Sequence, residues 1–261
     1  MKLLTINVHS WLEEDQEEKM DILAKTIAQK GYDLVALQEV SQLKNSKVVY
    51  DEVKEDNYGL LLLEKIKSYT AEKYSYYWAN SHIGYDKLDE GLAFITKHKI
   101  KNIEDFYCTN SQTIYSISSR KIIKVQLENI DAEFYCCHMN LPWAEDENMQ
   151  DNLTTILNYS NSSKLKVLMG DFNTDALNDK EAYENILNLN LYDTYTLAKE
   201  KDDGITVCKN IAGWDDSHGK KRLDYIFTTK KVEVEKSNVI FNGENEPVIS
   251  DHYGVEIELT L

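Results

Sequence analysis

The sequence predicts an α/β protein built from two packed β-sheets with helices on their outer faces. Short apolar runs of strand length occur in both halves of the chain, and segments with helical spacing are interspersed among them. Only Pro142 and Pro247 are present, neither in a linker-like stretch, and no repeat or low-complexity tail interrupts the pattern. One domain over residues 1–261 with two sheets accounts for this better than a small parallel sheet alone.

Residues 3–8 alternate loosely and predict a first strand. Met20, Leu23, Ala24, Ile27 and Ala28 fall on one face of a helix over 16–30, which Gly31 stops. The run Asp33-Leu34-Val35-Ala36-Leu37 is nearly continuous in apolar residues, as in a strand buried on both sides, and ends at Gln38-Glu39. A helix over 57–72 leads into strands at 74–80, 90–97, 103–109, 120–128 and 132–138. A helix around 148–160 precedes a strand at 165–169, and a short helix follows at 179–188. After loops and weak strands to about residue 220, strands at 222–228, 231–240 and 253–260 close the chain.

The 261 residues are 42% apolar and 10% aromatic, which supports a core and excludes disorder. Forty-five acidic against 29 basic residues leave a net charge of -16. Such a surface repels polyanions, and Lys220-Lys221-Arg222 is the most compact basic group, so nucleic acid is possible but disfavoured. The same balance suits a site that collects divalent cations. Cys108, Cys136, Cys137 and Cys208 form no C-x-x-C pair, so zinc and iron–sulfur spacing is absent; they read as reduced thiols of a cytoplasmic protein. MKLLTINVHSW has too short an apolar run for a signal peptide, and no integral membrane segment is expected. Secretion after removal of a leader stays open, as does the oligomeric state.

The stretch VLMGDFNTD, residues 167–175, drives three apolar residues into a glycine and then a cluster of polar groups. An Asx-turn is one reading, since Asp and Asn cap their own backbone. A site at the carboxyl end of a strand is the other. The same motif of position recurs: the first strand ends near Asn7, the second at Glu39, the fifth-to-last apolar run at His138, and Ser250-Asp251-His252 enters the last strand. If those ends converge they form one polar cleft. Glu39 offers hard oxygen ligation to Mg²⁺ or Mn²⁺, and Asn7 an amide oxygen. His252, with Asp251 or Asp224 behind it, can act as base or phosphate clamp. Asp171 can orient or deprotonate water, Asn173 can donate to an oxygen, and His138 can donate to a non-bridging oxygen or protonate a leaving group. Each residue alone also has an ordinary structural reading: Glu39 as a solvated strand end, Asp224 as a partner of Arg222, His9 as a loop residue.

Thr5-Ile6-Asn7, Leu37-Gln38-Glu39, Asp89-Glu90-Gly91-Leu92-Ala93, His138, Gly170-Asp171-Phe172-Asn173, Arg222-Leu223-Asp224-Tyr225-Ile226-Phe227 and Ser250-Asp251-His252 resemble, in that order, the motifs of the endonuclease/exonuclease/phosphatase superfamily. The resemblance implies a DNase I-like four-layer sandwich, two mixed sheets flanked by helices, and Mg²⁺- or Mn²⁺-dependent hydrolysis of phosphoester bonds. It implies metal-site roles for Asn7, Glu39 and Asp251, a water-orienting pair in Asp171 and Asn173, and a catalytic His252 supported by Asp224. His138 resembles the phosphate-side histidine, with Glu90 behind it, and Arg120 resembles a phosphate-contacting arginine. His9 stands where abasic-site endonucleases carry an aspartate, which weighs against DNA repair. Trp143, and Trp214 in the loop Gly213-Trp214-Asp215-Asp216-Ser217-His218-Gly219, are candidates to stack on a sugar, a base or an apolar tail, or to anchor their loops. His82-Ile83-Gly84-Tyr85-Asp86 is a further candidate lining. The expected substrate is a small phosphodiester or phosphomonoester. A sphingomyelinase-like lipid activity, a nuclease and an inactive binding module of the same fold are the alternatives.

Overall fold

The computed structural model describes residues 1–160, 163–209, 211, 213–214 and 219–261. Along the chain come β1 (Lys2–Asn7), α1 (Gln16–Lys30), β2 (Leu34–Leu43), β3 (Val48–Tyr50), β4 (Val53–Lys54), α2 (Tyr58–Tyr69), β5 (Ser75–Gly84), β6 (Leu88–Thr96) and β7 (Ile100–Tyr107). They are followed by β8 (Lys121–Leu127), β9 (Ala132–His138), α3 (Met149–Asn158), β10 (Leu165–Asp171) and α4 (Lys180–Leu187). The remaining elements are β11 (Tyr192–Asp193), α5 (Thr194–Leu197), β12 (Glu200–Lys201), β13 (Asp224–Thr228), β14 (Glu233–Ile240) and β15 (Gly254–Thr260).

Among the described residues these strands form two main mixed sheets, in the orders β12-β14-β15-β1-β2-β6-β5 and β11-β13-β10-β9-β8-β7. Alternation along each strand explains how they stack. Leu4 and Ile6 of β1 and Val35 and Leu37 of β2 turn to one face, where Met20, Leu23, Ala24 and Ile27 of α1 cover them. Leu3, Leu34, Ala36 and Phe94 turn to the other and meet Phe134, Cys136, Val167, Met169 and Ile226 of the second sheet. The far face of that sheet, with Tyr135, Cys137, Leu168 and Tyr225, is covered by Leu153 and Ile156 of α3 and Ile186 of α4. The result is the expected four-layer sandwich. Each fully buried Leu or Phe in these layers contributes about 1.5–3 kcal/mol relative to an exposed one.

Local signals set the helix ends. In α1, Glu17 and Glu18 sit in the first turn, and Gly31 closes the last at φ 63 with its N–H on the Ile27 carbonyl. Asn57 caps α2 by accepting from Leu60 N.

Two expectations need correction. The second strand does not end at Glu39 but continues to Leu43, its pairing with β6 shifting between Leu37 and Val40. The β3–β4 hairpin, with β3 exposed and β4 buried, and the four-residue α5 were not anticipated, because elements this short carry no readable periodicity. Tertiary bonds hold the hairpin instead: Lys54 is buried, donates to the Leu43 and Lys44 carbonyls, and pairs with Asp89. Cys108, Cys136 and Cys137 are buried free thiols and Cys208 is an exposed one.

Candidate active site

The inner rows of both sheets end in polar groups. On β1 the row Leu3, Thr5 finishes at Asn7. On β9, Phe134 and Cys136 are followed by His138. On β10, Val167 and Met169 are followed by Asp171, and on β13 Asp224 precedes Ile226. Pairing places three of them side by side, because Asp171 is in register with His138 on one neighbour and with Asp224 on the other. Period-two alternation thus aims the end of each core row at one place.

Gly170 makes this possible. Its φ is 151, and a Cβ there would lie 1.8 Å from the Cys137 carbonyl oxygen, so only glycine allows β9 and β10 to approach just before their polar ends. Asn173 follows in a left-handed conformation, φ 46, which Asn tolerates, and its N–H donates to Asp171 Oδ1 at 2.8 Å. The Asx-turn and the strand-end site are therefore the same structure: the turn fixes the carboxylate.

Glu39 reaches the cleft by a different route. By alternation alone it would face away from Asn7's row, but the bulge in β2 carries it at φ 53. A non-glycine residue held there stores about 1–3 kcal/mol of strain, which the surrounding contacts must outweigh. Ser10 Oγ donates to the Glu39 carbonyl at 2.6 Å, and Asn7 Nδ2 donates to Glu39 Oε1 at 2.7 Å. Asn7 Nδ2 also donates to Asp171 Oδ2 at 3.2 Å, linking the two sheets.

The last contribution enters with β15, which lies antiparallel beside β1, so the entry to one strand adjoins the exit of the other. Ser250 Oγ donates to the Asn7 carbonyl at 2.7 Å and accepts from His252 N at 3.3 Å. His252 Nδ1 is 2.9 Å from Asp224 Oδ2, and its Nε2 is 3.7 Å from Asp171 Oδ2. Arg222 bonds Asp193 at 2.6 Å, leaving Asp224 to the histidine. His138 Nε2 lies 3.8 Å from Asp171 and 3.9 Å from Glu39.

Glu39, Glu90, Arg120, His138, Asp171, Asn173, Asp251 and His252 all line one cleft of about 480 Å³. Asn7 and Asp224 stand just behind it through the bonds above. Burial, then the charges of Glu90 and Asp251, push Glu39 up to about 8. Burial and Asp224 push Asp171 up to about 6, against the pull of His252. Burial alone would depress His252, yet Asp224 and Asp171 outweigh it and raise it well above the usual histidine range. His138 is held well below that range by burial and by the charges of Arg120, His82 and His252.

Crowded carboxylates of this kind fit a hard divalent cation, since Glu39, Asp251 and Asp171 all offer oxygen; Asn7, expected as an amide-oxygen ligand, instead turns Nδ2 to Glu39 and Asp171 while its Oδ1 accepts from His9 N at 3.1 Å. Among the described residues two groups of three bring ligand atoms within 4.8 Å of one another, Asp171, Asp224 and His252, and His9, Glu13 and Asp251; Glu39 belongs to neither. Glu13 was not anticipated. It lies 2.8 Å from His9 Nδ1 and 2.6 Å from Lys19, and only its four-residue spacing from His9 could have signalled the pair.

Three expectations change. Glu90 pairs with His82 at 3.2 Å and not with His138; its carboxyl is held below the usual range because His82 and Arg120 outweigh the effect of burial. Trp214 is only 6% exposed and donates Nε1–H to Asn173 Oδ1 at 3.2 Å, so it anchors Asn173 and has no face left for a substrate. Trp143 is exposed, stands edge-on to Trp214 at 4.9 Å, and is not part of the cleft lining. Asp215, Asp216, Ser217 and His218 lie outside the described residues. The loop at 82–86 does line the cleft, through His82, Gly84 and Tyr85. Asn140 was missed: it accepts from Arg120 Nε at 2.9 Å and sits two residues beyond His138, where the alternation of β9 points.

No match was found among curated proteins. A solved structure described as an endonuclease/exonuclease/phosphatase family protein from Leptotrichia buccalis is 54% identical over 100% of both chains, with a TM-score of 0.96. Bacteroides thetaiotaomicron mannosyl-6-phosphatase shares the fold at 16% identity over 100% of both chains, TM-score 0.74. Truncated Caenorhabditis elegans TDP2 does so at 14% identity over 100% of this chain and 97% of its own, TM-score 0.64. The sequence matches the Endonuclease/Exonuclease/phosphatase family over residues 5–252, a span that begins inside the strand of Asn7 and stops at His252. By that match the chain belongs to the endonuclease/exonuclease/phosphatase family, whose members are generally hydrolytic phosphoesterases.

Proposed function

We propose that the chain hydrolyses phosphoester bonds of a small phosphorylated substrate by in-line attack of water, with Mg²⁺ or Mn²⁺ held by Glu39 and Asp251 and with Asn7 positioning Glu39 through its amide N–H. The observation that carries this reading is the His252–Asp224 contact beside Asp171 in the cleft that Glu39 also lines. When bound, the cation supplies charge neutralisation at the phosphoryl oxygens. Asp171, locked by Asn173 N and Asn7 Nδ2, orients the attacking water. The Asp224 carboxylate holds the His252 ring by Nδ1, which leaves Nε2 on the cleft side to exchange a proton in the same space. Arg120 and His138 face the developing charge on the phosphoryl oxygens. A long polyanion suits the cleft less well, since its described lining has one arginine against four carboxylates.

The test is turnover of bis-p-nitrophenyl phosphate and p-nitrophenyl phosphate with Mg²⁺, Mn²⁺ or EDTA, in the wild type and in Asp171→Ala and His252→Ala. Metal-dependent hydrolysis that falls by about a hundredfold or more in both variants is expected. Hydrolysis that persists in EDTA, or survives in both variants, would remove the basis for the reading. The ester preferred by the wild type decides between diesterase and monoesterase chemistry.

A further inference from the structure

The lining of the cleft is divided in character. Glu39, Glu90, Asp171 and Asp251 gather around the reacting centre, and Arg120 is the one arginine or lysine among the described lining residues. Its guanidinium is buried and already faces the charges of Glu90, Glu39 and Asp171. The eight residues outside the described set contain no lysine or arginine. Among the described lining residues the cationic His252 is already engaged by Asp224 and Asp171, so a second phosphoryl group on the same substrate would be desolvated among carboxylates with no lysine or second arginine of the lining to meet it.

The rest of the lining is apolar. Tyr85, Ile117, Leu141 and Ile211 contribute side chains that the hydrolytic chemistry does not use. Tyr85 is 60% and Ile117 70% exposed, an uncovered surface continuous with the reacting centre. The two loops that carry them are tied by Ile83 N donating to the Ile114 carbonyl at 2.7 Å. Leu141 packs with Ile211 and Trp214 and sits so close to Gly213 that a Cβ there would be 2.6 Å from it. This wall is built into the fold by the same Trp214 that holds Asn173.

Resting on the phosphoesterase reading above, we propose that the substrate carries a single phosphoryl group esterified to an uncharged moiety with an apolar or aromatic face, which lies on Tyr85, Ile117, Leu141 and Ile211. The apolar wall is then the specificity determinant and the carboxylates exclude polyphosphorylated compounds. Burial of a ring face on it favours the aryl over the hydroxyalkyl ester by about tenfold or more.

Non-hydrolysable ligands test this independently of turnover. Binding of phenylphosphonate, hydroxymethylphosphonate and methylenebisphosphonate to the Mg²⁺-loaded full chain is measured by calorimetry, in the wild type and in Ile117→Asp, an exposed position where folding is not at stake. Phenylphosphonate should bind about tenfold more tightly than either of the others, and Ile117→Asp should narrow that ratio at least about threefold. Equal or tighter binding of hydroxymethylphosphonate or the bisphosphonate, or no binding of phenylphosphonate, overturns the proposal, and so does an unchanged ratio in Ile117→Asp. If the preference and its narrowing hold while no nitrophenyl ester is hydrolysed, the apolar subsite stands and the hydrolase reading falls.

Discussion

Asp224, on β13 of one sheet, and His252, in the loop that enters β15 of the other, meet through a 2.9 Å contact between Oδ2 and Nδ1, so that Nε2 of the same ring faces Asp171 at 3.7 Å. Asp224→Asn keeps the size of the side chain but removes the charge that holds the imidazole. We expect kcat for p-nitrophenyl phosphate to fall by about 10²- to 10⁴-fold with KM little changed. A kcat within twofold of wild type would show that the pair does not serve the chemistry.

Trp214 fixes Asn173 through a single indole N–H. Trp214→Phe retains a six-membered aromatic ring and deletes that donor with the five-membered half of the indole. Loss of one such bond, about 1 kcal/mol, should lower kcat about fivefold while thermal stability changes little. Steady-state kinetics beside a melting curve separates this outcome from simple unfolding, in which both quantities would drop together.

Glu39→Gln should change sign with the cation. In EDTA the half-buried carboxylate, repelled by Glu90 and Asp251, costs stability, so the amide should be neutral or stabilising. With saturating Mg²⁺ only the wild type gains from binding, and the variant should be the less stable. Its Mg²⁺ affinity should fall by about tenfold or more. Melting temperatures with and without Mg²⁺ check the reversal; a variant less stable under both conditions would contradict it.

Gly170→Ala puts a methyl group where β9 and β10 come closest. The strand pair must part at the point where His138 and Asp171 emerge. A loss of about 3 kcal/mol is expected. That corresponds to a Tm lower by about 6–12 °C at this chain length.

The pH dependence of stability has a marker away from the cleft. Glu133 is buried and accepts from Gln126 Nε2 at 2.7 Å, Tyr135 OH at 3.0 Å and Ser160 Oγ at 2.7 Å. Burial would raise its carboxyl, but these bonds and Lys124 outweigh it and hold it below the usual range. A depressed folded value means that the stabilisation is present above the unfolded value of about 4.3 and is lost as pH falls through the folded one. Glu133→Gln should therefore be less stable than wild type at pH 7, with the difference shrinking below about pH 4. Urea unfolding at pH 7 and pH 3 reads it; a constant difference would refute the assignment.

Most of the fold was legible because its strands and helices repeat their apolar residues over many positions. The helix at Gln16–Lys30 and the strand ends at Asn7, His138 and Asp171 follow from that repetition. Glu39 was found by its chemistry while its strand was cut short, since a bulge leaves an apolar pattern broken in the same way as a strand end. The partner of Glu90 was not legible: His82 and His138 are both near in the fold, and sequence carries no distance between them. For Trp214 the stacking and loop-anchoring readings could not be told apart in sequence, because an aromatic residue in a polar loop reads alike whether its face is free or buried; the structure shows the anchor.

β15 lies between β14 and β1, and it is preceded by the loop that delivers Asp251 and His252. A nascent chain of 240 residues already contains Asn7, Glu39, His138, Asp171 and Asp224, yet its larger sheet is still divided where the missing strand belongs. Closing that gap pairs residues more than 240 positions apart, the longest loop closure in the molecule. In ribosomal synthesis the seam of the sheet and His252 therefore arrive together, and the cleft is completed in the step that completes the sheet.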